Sequence, residues 1–387
     1  MWAVSAALLA VGLLACEVDK VPFSRMEEGK KFLVAGEPFQ AAEYLREGMK
    51  REKARTSEAH AYLLVAMHMA AERLGDNRAQ QEKFLKERAK ELAAVRQDPL
   101  AVRYLVSVLG NRDLSSFAAA QVLPEVGEPA APPIVAALAK NPELAVDLLG
   151  ILEKMGSVAI PAMAEAISGG QHTAEQREQL VQLMGAIGGQ EAQRVLRQFR
   201  QDATQPAALQ MAAAAALYRL GDKEERTALI AGLDSEDAGV RRAASGAMVY
   251  LNETPSVQSL TRHLADADVQ VRLNLVRALG RHPGNGVGLR ALIGVVHKDT
   301  DTTTINEAAR SLVEYGAAAA EPAVDAIENE SDWQRRQRFV QVLKDDDVRK
   351  GLTEALEYRL YTYWEKRETN EGVKNDIAGL LQALEKK

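Results

Sequence analysis

The stretches LIAGLDSEDAGVRRAA (229–244) and LTRHLADADVQVRLNL (260–275) lie 31 residues apart and share one pattern. Leu229, Leu233, Asp237, Val240 and Arg241 recur as Leu260, Leu264, Asp268, Val271 and Arg272. Leucines four apart mark one buried face of a helix. An aspartate before a new apolar run caps a helix start and suits its positive end. Each copy therefore predicts a helix, a short acidic turn and a second helix.

Glycines that follow apolar runs repeat on a similar period: Gly156, Gly188, Gly221, Gly280 and Gly316, with Gly127 as an earlier member and Asn252 between Gly221 and Gly280. Gly and Asn accept the left-handed backbone that ends a helix. Prolines follow at Pro133, Pro161, Pro255 and Pro322, at or inside the next helix start. About 30 residues is too long for one ordinary helix and right for a helical hairpin. The composition agrees: 47% of residues are hydrophobic but only 5% aromatic, an Ala/Leu-rich balance that favours helix over strand.

The Asp-x2-Val-Arg pattern resembles the short bacterial form of the HEAT repeat, over residues 98–345. The resemblance implies an all-α fold, a right-handed α-solenoid of HEAT/armadillo-like hairpins. It also implies an Asp–Arg ladder between repeats, placing Asp237, Arg241, Asp268 and Arg272 in structural roles. Phe32, Ala35, Gly36, Phe39 and Ala42 resemble the opening of a tetratricopeptide repeat, so 25–97 is expected to form TPR-like hairpins. Gly48 departs from that pattern, which has Ala there, and Leu74-Gly75-Asp76 is a candidate start of a second unit. Residues 346–387, with Tyr358, Tyr361, Tyr363 and Trp364, are expected to form a helical cap. A solenoid needs one, because its last repeat has an uncovered apolar face.

The amino-terminal segment is of another kind. Trp2 to Ala15 carries no charge, and charged residues begin directly after Cys16, the only cysteine. This run is shorter than the roughly 20 residues a membrane-spanning helix needs and matches the apolar region of a secretory signal. Leu13-Leu14-Ala15-Cys16 resembles the bacterial lipobox. In that family the Cys thiol is diacylglycerylated and the chain is cut before it. The pattern departs from the family in having no Lys or Arg before Cys16. The resemblance implies a signal peptide over 1–15, a lipid anchor at Cys16 and a tether over 16–24. It places the body in the cell envelope, with Glu17 after the Cys pointing to the outer membrane, facing the periplasm.

No catalytic constellation is visible. The six histidines form no metal-ligating pattern, and a single Cys excludes disulfide frameworks and Cys-based zinc sites. Gly284–Gly288 (GNGVG) follows a helix and a proline rather than a strand, so it reads as a loop and not as a phosphate cradle. A net charge of −6 argues against nucleic acid as a partner. No metal, cofactor or small-molecule substrate is expected. WQRRQRF (333–339) is the densest basic and aromatic run, and Trp333, Arg335 and Arg336 are the candidate partner-binding residues. The alternative within that run is a set of arginines answering nearby acidic turns, including Asp345–Asp347.

Stacked hairpins present long surfaces rather than deep polar clefts. The expected function is thus a non-enzymatic scaffold, lipid-anchored in the envelope, holding a protein partner on its second-helix face. The alternative is an enzyme or accessory factor, since short HEAT repeats also resemble those of bilin lyases; no lyase motif is present. A nucleic-acid-binding solenoid would need a basic face that the composition does not favour.

Overall fold

The computed structural model describes residues 24–74, 78–251, 257–284 and 286–385. Cys16 and the segment 1–15, Gly75–Asp76, Asn252 and Pro255 lie outside the described residues. The described residues form helices joined by turns and short 3-10 segments, with no strand among them. They divide into two compact units, Met1–Thr173 and Ala174–Lys387.

The first unit begins with a hairpin, Arg25–Val34 and Pro38–Arg51, turned at Gly36 with φ of 73°. The two helices approach closely through glycines. A Cβ on Gly29 would stand 2.7 Å from Leu45 Cγ, and one on Gly48 would stand 3.0 Å from the Met26 backbone nitrogen. Gly48 is therefore dictated by its contact with Met26. The long helix Thr56–Arg73 packs next, against Arg78–Gln97, Pro99–Val108 and Leu114–Val126. Pairs Pro99–Val108 with Leu114–Val126, and Ala131–Lys140 with Ala145–Met155, follow before Ile160–Ser168.

The second unit is a two-layer stack. Its first helices are Gly189–Gln201, Arg226–Gly232, Val257–Arg262, Gly286–Lys298, Ala320–Asn329 and Glu354–Lys366. Its second helices are Ala174–Ile187, Ala207–Arg219, Ala238–Ala247, Val269–Gly280, Thr302–Val313, Trp333–Leu343 and Glu371–Glu385. Each second helix packs on the next one in this order. Between the layers runs one apolar core, in which Leu229, Leu233, Leu260 and Val271 are almost fully buried. Burying a side chain of this kind contributes about 1.5–3 kcal/mol. The pattern quoted first thus forms two consecutive hairpins of this stack.

Gly127, Gly156, Gly188, Gly221 and Gly316 all have positive φ at helix ends. Gly280 differs from the expectation: it is the last residue of its helix and is not among the positive-φ glycines. Its role is close approach, because a Cβ there would stand 2.7 Å from Ser311 Oγ and 2.8 Å from Ser311 Cβ. The carboxyl-terminal segment contains the short helix Asp346–Arg349 and then a hairpin, Glu354–Lys366 and Glu371–Glu385. Val373, Ile377 and Leu380 of that hairpin belong to the common core.

Candidate functional site

A ladder of side-chain bonds ties the starts of the second helices to the following repeats. Asp237 accepts from the Gly239 and Val240 N–H groups, and Asp268 from Gln270 and Val271, so both are helix caps. Neither is the ladder partner of the arginine in its own motif. The Arg241 guanidinium donates to both oxygens of Asp266, at 2.7 and 3.1 Å. Arg272 does the same to Asp299, at 2.7 and 2.9 Å. In each case Nη1 also donates to backbone carbonyls just before the arginine's own helix, Ser235 and Glu236 for Arg241, Asp266 and Ala267 for Arg272. The true partner thus lies in the next repeat, two residues before that repeat's cap.

The same arrangement recurs where sequence reading placed something else. Arg336 donates to both oxygens of Glu368 at 2.8 Å and to the carbonyls of Glu330 and Ser331. It is 7% exposed. Arg336 is therefore corrected from candidate partner contact to ladder residue: burial and bidentate pairing leave it turned into the protein. Its partner is Glu368 and not the acidic run Asp345–Asp347. Arg335 donates to the carbonyls of His297 and Asp299, closing the end of helix Gly286–Lys298. Trp333 alone of the three is exposed, at 43%.

One rung is built differently. Asp301 caps helix Thr302–Val313, but the residue four places on is Ile305, which cannot pair. The acid of the following repeat, Glu330, instead lies with an oxygen 2.5 Å from His297 Nδ1. A carboxylate can only accept, so that ring nitrogen carries the proton.

The acids of the ladder were missed in the sequence, though a signal was present. Asp266-Ala-Asp268, Asp299-Thr-Asp301, Glu330-Ser-Asp332 and Glu368-Thr-Asn370 share acid-x-cap spacing. In each, the acid accepts the N–H of the capping residue. Burial pushes the carboxyls of Asp266, Asp299 and Glu368 up, but bonds from Arg241, Arg272 and Arg336 and from backbone N–H groups hold them below the usual range. Glu330 is likewise lowered against burial, by the Asp332 N–H and His297.

With the second helices fixed, a groove of about 950 Å³ opens across four of them, in the second unit. Helices Ala174–Ile187, Ala207–Arg219, Ala238–Ala247 and Val269–Gly280 each contribute. The floor is small and apolar: Ala212, Ala215, Ala216, Ala243, Gly246 and Ala247. The rim is charged. Arg219 stands over the Tyr250 ring at 5.1 Å, Arg242 donates to Asp268 at 2.6 Å, and Arg277 donates to Glu307 at 3.3 Å. Glu175 and Glu178 line it from the first of the four helices. Burial raises the Glu178 carboxyl, and Asp237 and Glu175 add to the rise against the pull of Arg242 and Arg177.

Such a surface can hold a polypeptide segment: a narrow alanine floor admits a close backbone, and the rim supplies charge. A second hollow, about 700 Å³, lies in the first unit between Arg103, Val106, Pro132, Pro133, Ala137 and Leu148 among others. No group of three or more His, Cys, Asp or Glu residues is arranged for a metal among the described residues. His60 bonds Glu91, His68 bonds Gln121 and His172 bonds the Val135 carbonyl, so each has a partner in the fold. No described helix is long and apolar enough to cross a membrane.

A family model described as HEAT repeats matches residues 257–344. That stretch lies within the second unit and spans the hairpins joined by Arg272–Asp299 and His297–Glu330. No curated protein matches the sequence. Among solved structures, human deoxyhypusine hydroxylase in complex with glycerol is similar over 66% of this chain and 98% of its own, at 17% identity and a TM-score of 0.28. An engineered protein is similar over 94% of this chain and 99% of its own, at 17% identity and a TM-score of 0.31. At those scores neither likeness carries an argument about function.

Proposed function

We propose that this chain is a lipid-anchored scaffold of the cell envelope that holds a protein partner in the groove on the second-helix layer of residues 174–387. The observation that carries the reading is the groove itself, with its alanine floor and charged rim on a repeat array. Repeat arrays use extended surfaces of this type for binding. The anchor rests on the lipobox-like Leu13–Cys16. Acyl chains contribute about 0.8 kcal/mol per buried CH₂, so a multiply acylated Cys16 would hold the body at a membrane.

Two experiments separate the parts. The mass of the amino-terminal peptide from membranes, beside a Cys16→Ser variant, tests the anchor. A peptide starting at acylated Cys16 is expected; one retaining Met1–Ala15 with a free thiol contradicts it. For the groove, partner capture by the body from residue 17 onward is compared with a Gly246→Leu variant. A Cβ on Gly246 meets only Asn274 Nδ2, at 3.6 Å, so a larger side chain has room and fills the groove. Loss of the captured partner is expected, and unchanged capture contradicts the site.

A further inference from the structure

The rim charges of the groove are not equivalent. On the sides formed by the later helices they are already engaged: Arg242 with Asp268, Arg277 with Glu307, Arg219 with the Tyr250 ring. The charged side chains that helix Ala174–Ile187 turns to the groove are all acids, although Arg177, on the same helix but outside the lining, also acts on Glu178. Glu175 and Glu178 stand one helical turn apart, on the same face, and both line the groove. Asp237 adds a third negative charge that acts on Glu178. Arg242, whose charge also reaches Glu178, has its guanidinium bonded to Asp268 instead. Glu178 is half-buried, and its carboxyl is held above its usual range by burial and by its acidic neighbours. A cation brought into this corner would relieve that cost, whereas an anion would add to it.

The floor limits what can deliver the cation. Ala212, Ala216, Ala243 and Ala247 are nearly buried and rise no further than a methyl group, and Gly246 presents no side chain. A folded domain would meet the rim first, but an extended segment can lie on the floor and send a long side chain to the wall. We propose that the groove takes an extended peptide segment of the partner, oriented by a Lys or Arg side chain that pairs with Glu175 and Glu178. The inference rests on the scaffold reading of the same groove and names the chemistry of its partner.

The test uses the whole chain and two fluorescent peptides of equal length, one of alternating Ala and Lys, the other of alternating Ala and Glu. Binding is read by anisotropy at low and moderate salt. The Ala–Lys peptide is expected to bind, more weakly as salt rises. The double variant Glu175→Gln/Glu178→Gln should weaken it at least about tenfold, a change of about 1.4 kcal/mol. Glu128→Gln/Glu143→Gln makes the same change in net charge on exposed residues of the first unit and should leave binding unchanged. Equal effects of the two double variants would show general attraction to an acidic protein and overturn the proposal. So would equal binding of the Ala–Glu peptide, or no binding of the Ala–Lys peptide. If the proposal falls in any of these ways while Gly246→Leu still abolishes partner capture, the scaffold reading stands without it.

Discussion

Arg241, Arg272 and Arg336 each tie a helix start to the next repeat through a fork-to-fork pair with a carboxylate. Bidentate pairs of this kind are the strong ones, and removing one partner leaves a buried charge without compensation. Arg272→Ala should cost about 3 kcal/mol in denaturant unfolding, more than removal of exposed Arg194, whose pair with Glu191 is a surface contact. The same pairs set the response to acid. The carboxyls of Asp266, Asp299 and Glu368 are lowered in the folded chain. Their contribution is complete above the unfolded carboxylate range near pH 4 and is lost as pH falls through the lower folded values. Melting temperature should therefore drop steeply below about pH 4.5, and an Asp299→Asn variant should start lower and fall less steeply. Glu178 has the opposite sign, since its carboxyl is raised. Glu178→Gln should leave stability at neutral pH unchanged or higher, as measured by urea unfolding.

At the scale of the element, two glycines near helix ends make opposite demands. A Cβ at Gly246 would make only an ordinary contact with Asn274, while one at Gly280 would press into Ser311. Gly246→Ala should stabilise by about 0.5–1 kcal/mol through helix propensity alone. Gly280→Ala should destabilise, by about 1–3 kcal/mol of overpacking. Thermal melts of the two single variants check both signs. Gly280 also shows where sequence reading stops. Its place in VRALG, like that of Gly316 in LVEYG, suggests a left-handed cap. Whether a glycine gives the backbone its turn or a neighbouring helix its room depends on packing, which local sequence does not carry. The hairpins themselves were legible because leucine spacing and capping aspartates are local signals. The ladder was half legible. Arg241 and Arg272 stood out, but their partners lie 25 and 27 residues further on, across a helix. Arg336 sat in a run so basic and aromatic that it looked like a surface, and its burial follows only from the position of Glu368. The groove was foreseen as a face, whereas its acidic corner joins the neighbours Glu175 and Glu178 to Asp237 at the start of a later helix, a meeting with no local signature.

For the unit 174–387 as a whole, each hairpin is stabilised by its neighbours, so the ends decide whether the stack closes. The hairpin Glu354–Glu385 covers the last repeat, buries Leu360, Val373, Ile377 and Leu380, and supplies Glu368 to Arg336. A chain ending at residue 345 loses that apolar contact and leaves Arg336 unpaired. It should lose on the order of 5–10 kcal/mol, seen as loss of the cooperative transition or as aggregation. The proposed function likewise depends on the stack as a whole, since it makes the second-helix layer the binding surface. A photo-cross-linking residue at Gly246, on the groove floor, tests it most directly in intact cells, with the same residue at Val146, 85% exposed in the first unit, as the comparison. A discrete cross-linked partner from position 246 and none from 146 is the predicted result. The same products from both positions, or a partner from 146 alone, would contradict it.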